Sequence, residues 1–286
     1  MKRILLAATA MIVASPALAH NPWIKPTATT VAGEDGWVGF DAGASTDVFV
    51  ADHAPMRLEM IKARAPDGSD APLENAVQAR YRSTFDVHLT KQGTWRIGME
   101  SLGVTGSYVL DGKSYRVGGR AGPRPGAPGA GGPQPNPDVI FVPGGPDFTP
   151  PPGATGVKLT LAGMRNETFV TLGKPSDVVL SGKGLEMQPI TQPADLVADE
   201  PGKFRFLLDG KPVAGIEVEA VPDGRRFRDD PGAITTKTGP DGVAVVAWRG
   251  PGLYWVHATY ADEASPRPGI GGRRFQYAAT LEVTPP

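Results

Sequence analysis

The stretch "SPALAHNPW", residues 15–23, places a histidine directly after a processing signal. Ala17-Leu18-Ala19 is the small-x-small pattern that signal peptidase accepts, so cleavage is expected between Ala19 and His20. His20 would then begin the mature chain and offer two nitrogens, its α-amino group and its imidazole Nδ1. Together they close a chelate ring on one cation. The amine has a pKa of about 8 and gives up its proton to a metal at neutral pH. Amine plus imidazole suits Cu(II), Ni(II) or Co(II) better than Mg(II) or Ca(II). Pro22 occupies the mature third position, where the familiar amino-terminal copper and nickel motif needs a histidine, so that geometry is excluded.

One more imidazole would complete a three-nitrogen brace, and only three other histidines exist. His53 lies in the loop-like "VADHAPM" after the apolar Val48-Phe49-Val50. It is the expected partner, with Asp52 beside it as ligand or as the acceptor that sets the tautomer. His88 alternates against Phe85, Val87 and Leu89, which puts it on a solvated face. His257 shares a face with Leu253 and Trp255 and reads as a packed sandwich histidine. Met56 carries a thioether that suits Cu(I), but a methionine there is ordinary core filling. The two Gly-Arg-Arg-Phe repeats, residues 224–227 and 272–275, read as basic solubilising loops. The expected metal ligands are therefore His20, His53 and Asp52.

No G-x-S-x-G elbow, H-E-x-x-H, P-loop or helix-opening G-x-G-x-x-G occurs, so no catalytic residue is assigned. The enzymatic alternative is a copper mono-oxygenase, which shares the brace chemistry but needs a flat exposed substrate face. No cofactor is expected apart from a divalent transition metal. With no cysteine, disulfides and thiolate sites are ruled out, which fits a bacterial periplasm.

These ligands need a scaffold. Lys2 and Arg3 precede an apolar run, Ile4 to Ala14, that Ser15-Pro16 breaks too early for a membrane span. Residues 1–19 are thus read as a signal peptide. Removing them from 286 residues leaves 267, and 29 − 2 = 27 basic against 30 acidic residues. That balance leaves no basic footprint for nucleic acid or anionic lipid. No later apolar run predicts membrane insertion.

Between Gly118 and Gly153, 11 Pro and 10 Gly interrupt any regular ladder, so residues 118–156 are read as a linker, with "DVIFV" as an edge-strand island. On either side the chain alternates. Phe85, Val87 and Leu89 share one face; Trp95, Ile97 and Met99 share another. "SYVLDGKSYRV" is a hairpin with an Asp111-Gly112 type I′ turn, and "KFRFLLDGKPVAGIEVEAV" repeats the pattern. Turns spaced about ten residues apart predict an all-β protein with two antiparallel, immunoglobulin-like sandwiches, residues 20–117 and 157–286.

The runs "ETFVTLGKPSDVVL", "GKFRFLLDGKPVAGIEVEAVPDG" and "TKTGPDGVAVVAWRGPGLYWVHATY", with "AHNPWIKPTATTVAGEDGWVGFDAGAS", resemble a periplasmic domain-of-unknown-function family described as NikM-like. The C-terminal runs also resemble the carboxypeptidase-regulatory-like sandwich. The first resemblance implies a periplasmic component of nickel or cobalt uptake that takes a metal ion or metal complex and serves an inner-membrane transporter. The alternative is a non-catalytic envelope interaction module that holds a transporter or outer-membrane receptor without metal.

Overall fold

The computed structural model describes residues 20–119 and 138–286. The expected signal peptide, residues 1–19, and residues 120–137 of the expected linker lie outside the described residues. Alternating apolar positions fold as strands, and among the described residues there is no α-helix. The all-β sandwich expectation therefore holds.

The first part of the chain forms β1 (Asn21–Pro26), β2 (Thr30–Val31), β3 (Gly36–Ser45), β4 (Ala54–Pro55) and β5 (Ile61–Arg64). There follow β6 (Asp70–Ala71), β7 (Glu74–Gln78), β8 (Ser83–Leu89), β9 (Gly93–Leu110) and β10 (Lys113–Val117). The second part forms β11 (Val139–Val142), β12 (Thr155–Leu172), β13 (Leu185–Pro189), β14 (Gly202–Leu208) and β15 (Lys211–Pro212). It ends with β16 (Glu217–Pro222), β17 (Ile234–Lys237), β18 (Val243–Val246), β19 (Gly252–Asp262) and β20 (Arg273–Val283).

These strands make three sheets. A small sheet runs β1-β3-β8-β7, with β4 also on β3. A large sheet runs β11-β10-β9-β12-β20-β19-β16-β17, with β5 on β9 and β2 on β12. A third sheet runs β13-β14-β15, with β18 on β14. The large sheet lies between the other two, because its strands bury opposite faces. On β12, Val170 and Leu172 join Trp95, Ile97, Phe40, Phe85 and Leu89 against the small sheet. Phe169, one residue away, joins Met187, Phe204, Phe206, Val256 and Tyr277 against the third sheet. Both cores thus lean on one strand.

β9 and β12 are 18 residues each and pair antiparallel along their length, so residues 20–117 and 157–286 share a sheet. Most pairs are antiparallel, but β12–β20, β10–β11 and β2–β12 are parallel, a departure from the purely antiparallel expectation. None of these three pairs is joined by a tight turn, and only a tight turn forces antiparallel direction.

The "DVIFV" island forms the edge strand β11 on β10. Beyond it, Phe148 and Ala154 pack against Val104, Tyr108, Leu159 and Ile270. This half of the Gly/Pro segment is docked on the large sheet. Asp111 (φ 50) and Gly112 (φ 73) make the expected type I′ hairpin between β9 and β10. The second Asp-Gly turn behaves differently. Its outgoing strand β15 is two residues long, and after the Val213 N–H bonds to the Phe206 carbonyl at 3.0 Å the chain crosses to β16 in the large sheet.

Gly106 shows how closely β9 and β12 approach. It sits at φ 138, and a Cβ there would fall on the Lys158 carbonyl oxygen. Gly106→Ala should cost more than about 1 kcal/mol, since neither backbone conformation nor space accepts the methyl. A thermal melt lowered by several degrees is expected; an unchanged melting temperature would show that β9 relaxes there freely.

Candidate metal centre

The end of β3 brings the two histidines together. β1 pairs with β3 from Asn21↔Ser45, and β4 pairs with it from Gly43↔Pro55 and Ala44↔Ala54. His20 and His53 are each the residue just before the first paired position of its strand. Two strands that flank β3 therefore start at nearly the same level, and each is preceded by a histidine. The rings stack with centroids 3.2 Å apart and planes inclined by 7°. A separation of 33 positions in the chain becomes ring contact.

Several contacts hold this end in place. Trp23, 1 % exposed, packs with Val48, Val221, Trp255 and Ala278 between the small and large sheets. Its indole Nε1 donates to Ser45 Oγ at 2.7 Å, and Ser45 Oγ donates to the Asp47 carbonyl at 2.6 Å. Trp255 Nε1 donates to the Pro22 carbonyl at 2.8 Å, and Asn21 Nδ2 to the Thr46 carbonyl at 3.0 Å. Trp23 is thus the apolar anchor of the first residues, so little ordering entropy remains for a ligand to overcome.

The loop from Thr46 to His53 is tightly curled. Phe49 takes φ 65, an uncommon conformation for an aromatic residue, with its ring edge-on to Trp23 and the Lys25 ammonium 5.6 Å above it. Lys25 is tied in turn to Asp223 at 2.9 Å. Asp52 Oδ1 accepts the Thr46 N–H at 3.3 Å. Burial lowers the His20 pKa, the neighbouring His53 lowers it further, and the Asp52 carboxylate opposes both. A neutral imidazole is the form that ligates a metal.

Among the described residues no group of three His, Cys, Asp or Glu side chains is arranged to hold a metal. Asp52 acts on His20 as a nearby charge, and its carboxylate accepts the Thr46 N–H. Imidazole ligates in the plane of its ring, so two stacked rings must fan apart to share one cation. His53 is exposed and can make that rotation.

The other sequence candidates fall elsewhere. His88 lies on the outer face of the small sheet, stacked on Trp37 at 4.3 Å and paired with Asp35 at 2.8 Å. Met56 is a core residue. Residues 225–227 form a short 3₁₀ turn with Phe227 77 % exposed. The second Gly-Arg-Arg-Phe repeat is not a loop: Arg273 to Phe275 open β20, Arg273 pairs with Asp262 at 2.5 Å, and Phe275 is buried. The strand alternation continues through it and hides the phenylalanine. His257 lies on the large sheet, stacked on Trp255 at 4.8 Å.

Sequence reading missed a buried cluster of charges on β9, β12 and β13. Arg165 contacts Glu100 at 2.8 Å, Glu186 at 3.4 Å and Glu167 at 3.8 Å, while Arg96 lies 3.7 Å from Glu167 and 3.8 Å from Glu186. Tyr277 donates to Glu167 at 2.7 Å. The available signal was Arg165-Asn166-Glu167 inside an otherwise unbroken strand run.

Comparison with known proteins adds little at the level of activity. No curated protein matches the chain. Among solved structures, the D0-D1 domain of intimin is similar at 13 % identity and a TM-score of 0.22, over 91 % of this chain and 97 % of that one. The T6 backbone pilin of serotype M6 Streptococcus pyogenes is similar at 7 % identity and a TM-score of 0.16, over 92 % of this chain and 52 % of that one. Neither superposition is close enough to assign a role to a residue. Residues 17–262 match the family described as "Domain of unknown function (DUF4198)", and the chain belongs to that family.

Proposed function

We propose that this protein is exported to the periplasm, is cut between Ala19 and His20, and there binds a divalent transition metal for delivery to a membrane transporter. The metal is cargo, and no catalytic step is assigned. The observation that supports this reading is the contact between the His20 and His53 rings, 3.2 Å apart at the end of β3. The terminal amine released by processing supplies the third nitrogen, and Asp52 provides a nearby negative charge. The chemistry selects Ni(II), Co(II) or Cu(II) over hard cations. The resemblance to nickel and cobalt uptake proteins points to the first two.

The test is metal analysis and calorimetric titration of protein recovered from the periplasm, with its amino terminus sequenced as His-Asn-Pro-Trp. A tight site that requires the free amine of His20 is expected. Material made in the cytoplasm with Met1 or a tag retained has a blocked amine and is not a fair sample. Correctly processed protein that binds none of the three metals would end the proposal.

A further inference from the structure

A second pair of donor groups lies on the other side of the amino-terminal strand. Along β19 the side chains alternate: Tyr254, Val256 and Ala258 face the third sheet. Trp255 faces the amino-terminal segment, and by strand alternation His257 projects with it. Along β16, Val218 and Ala220 point to the third sheet and Glu219 and Val221 point away from it. The antiparallel register sets Glu219 opposite His257 and Val221 opposite Trp255. Directly opposed residues on one face have Cβ atoms about 5 Å apart, within the span of two side chains that share an ion.

Glu219 and His257 wall a cavity of about 340 Å³ whose other sides include Asn21, Asp47, Arg225 and Trp255. His257 Nε2 is buried and has no hydrogen-bond partner among the described residues. Its ring is fixed by the stack on Trp255, 4.8 Å away and inclined by 7°. Glu219 is half-buried, and the charged group acting on it is another carboxylate, Glu217. The imidazole and the carboxylate thus face one cavity from directly opposed positions, and the buried Nε2, unpartnered among the described residues, is the costly group of the two. Arg225, the cation on this wall, has its guanidinium tied to the Arg228 carbonyl.

We propose that Glu219 and His257 hold a divalent first-row metal ion in this cavity, at a position separate from His20 and His53. An imidazole nitrogen and a carboxylate oxygen are a donor pair for Ni(II), Co(II) or Zn(II). Two protein ligands leave the other coordination positions to water or to the donors of an incoming complex, so this is an exchangeable site. Asn21 forms part of the wall and His20 precedes it, which places the cavity beside the terminal histidine. The site does not depend on that histidine.

The experiment is equilibrium dialysis of the processed full-length chain against Co(II), with the visible d–d bands of bound cobalt as a second readout. Wild type should bind two equivalents. His257→Gln and Glu219→Gln should each weaken one of them at least tenfold, while His53→Ala removes the other. If His257→Gln fails to fold by thermal melt, Glu219→Gln decides, because that side chain is only half-buried. Wild-type stoichiometry and affinity in the folded variants would overturn the second site. One equivalent sensitive to Glu219→Gln but not to His53→Ala would support it and remove the terminal-histidine site. One equivalent with the reverse sensitivities, or no bound cobalt, would overturn it.

Discussion

His53→Ala should lower the affinity of the processed protein for Ni(II), Co(II) or Cu(II) by at least about 100-fold. Loss of a group that merely orients a ligand costs about 10- to 100-fold, and this change removes a ligand itself. One extra residue before His20 should have a comparable effect, because the basic amine becomes an amide while both imidazoles remain. The two changes act on opposite ends of one stacked pair, so both must weaken the same calorimetric transition. His88→Ala is the control: its ring is engaged by Asp35 and Trp37 on a different face of the small sheet. Equal binding by the extended and native forms would reduce His20 to an accident of processing.

Arg165→Met should destabilise the fold by about 3–5 kcal/mol, the cost of breaking a buried ion pair from one side. Arg165 is 6 % exposed, and its removal leaves Glu167 and Glu186 to Arg96 alone. Glu186 is otherwise well satisfied: it accepts the Ser181 N–H at 2.8 Å, the Ser181 hydroxyl at 3.0 Å and the Gly182 N–H at 2.6 Å. Glu167 is not. Burial raises its pKa despite both guanidinium groups and the Tyr277 hydroxyl beside it. The loss corresponds to a melting temperature lower by about 10 °C in a chain of this size. Glu100→Gln touches the same arginine from the surface, where Glu100 is 52 % exposed, and should cost under about 1 kcal/mol. A melt of Arg165→Met within a degree or two of wild type would mean that the cluster is slack.

Much of the architecture was legible because strands carry a period of two. Phe85, Val87 and Leu89 could be placed on one buried face without knowledge of what covers them. Asp111-Gly112 declared its turn because only residues tolerant of positive φ fit a type I′ hairpin. The pairing of His20 with His53 was also within reach, since the chain has four histidines and one of them follows the cleavage pattern. Tertiary structure alone decided the rest. Nothing local tells β9 that its partner is β12, or that β12 lies parallel to β20, because each of those pairings spans a long connection with no turn to set direction. The same holds for the charges. Arg96, Arg165, Glu167 and Glu186 are scattered along the sequence, and only the meeting of three strands folds them into one interior cluster. His257 read as packed filler because its alternation was visible and the cavity facing it was not. That cavity exists only where the amino-terminal strand, the Thr46–His53 loop and the β16–β19 pair meet. Sequence determined which face each side chain takes; long-range contact determined what each face meets.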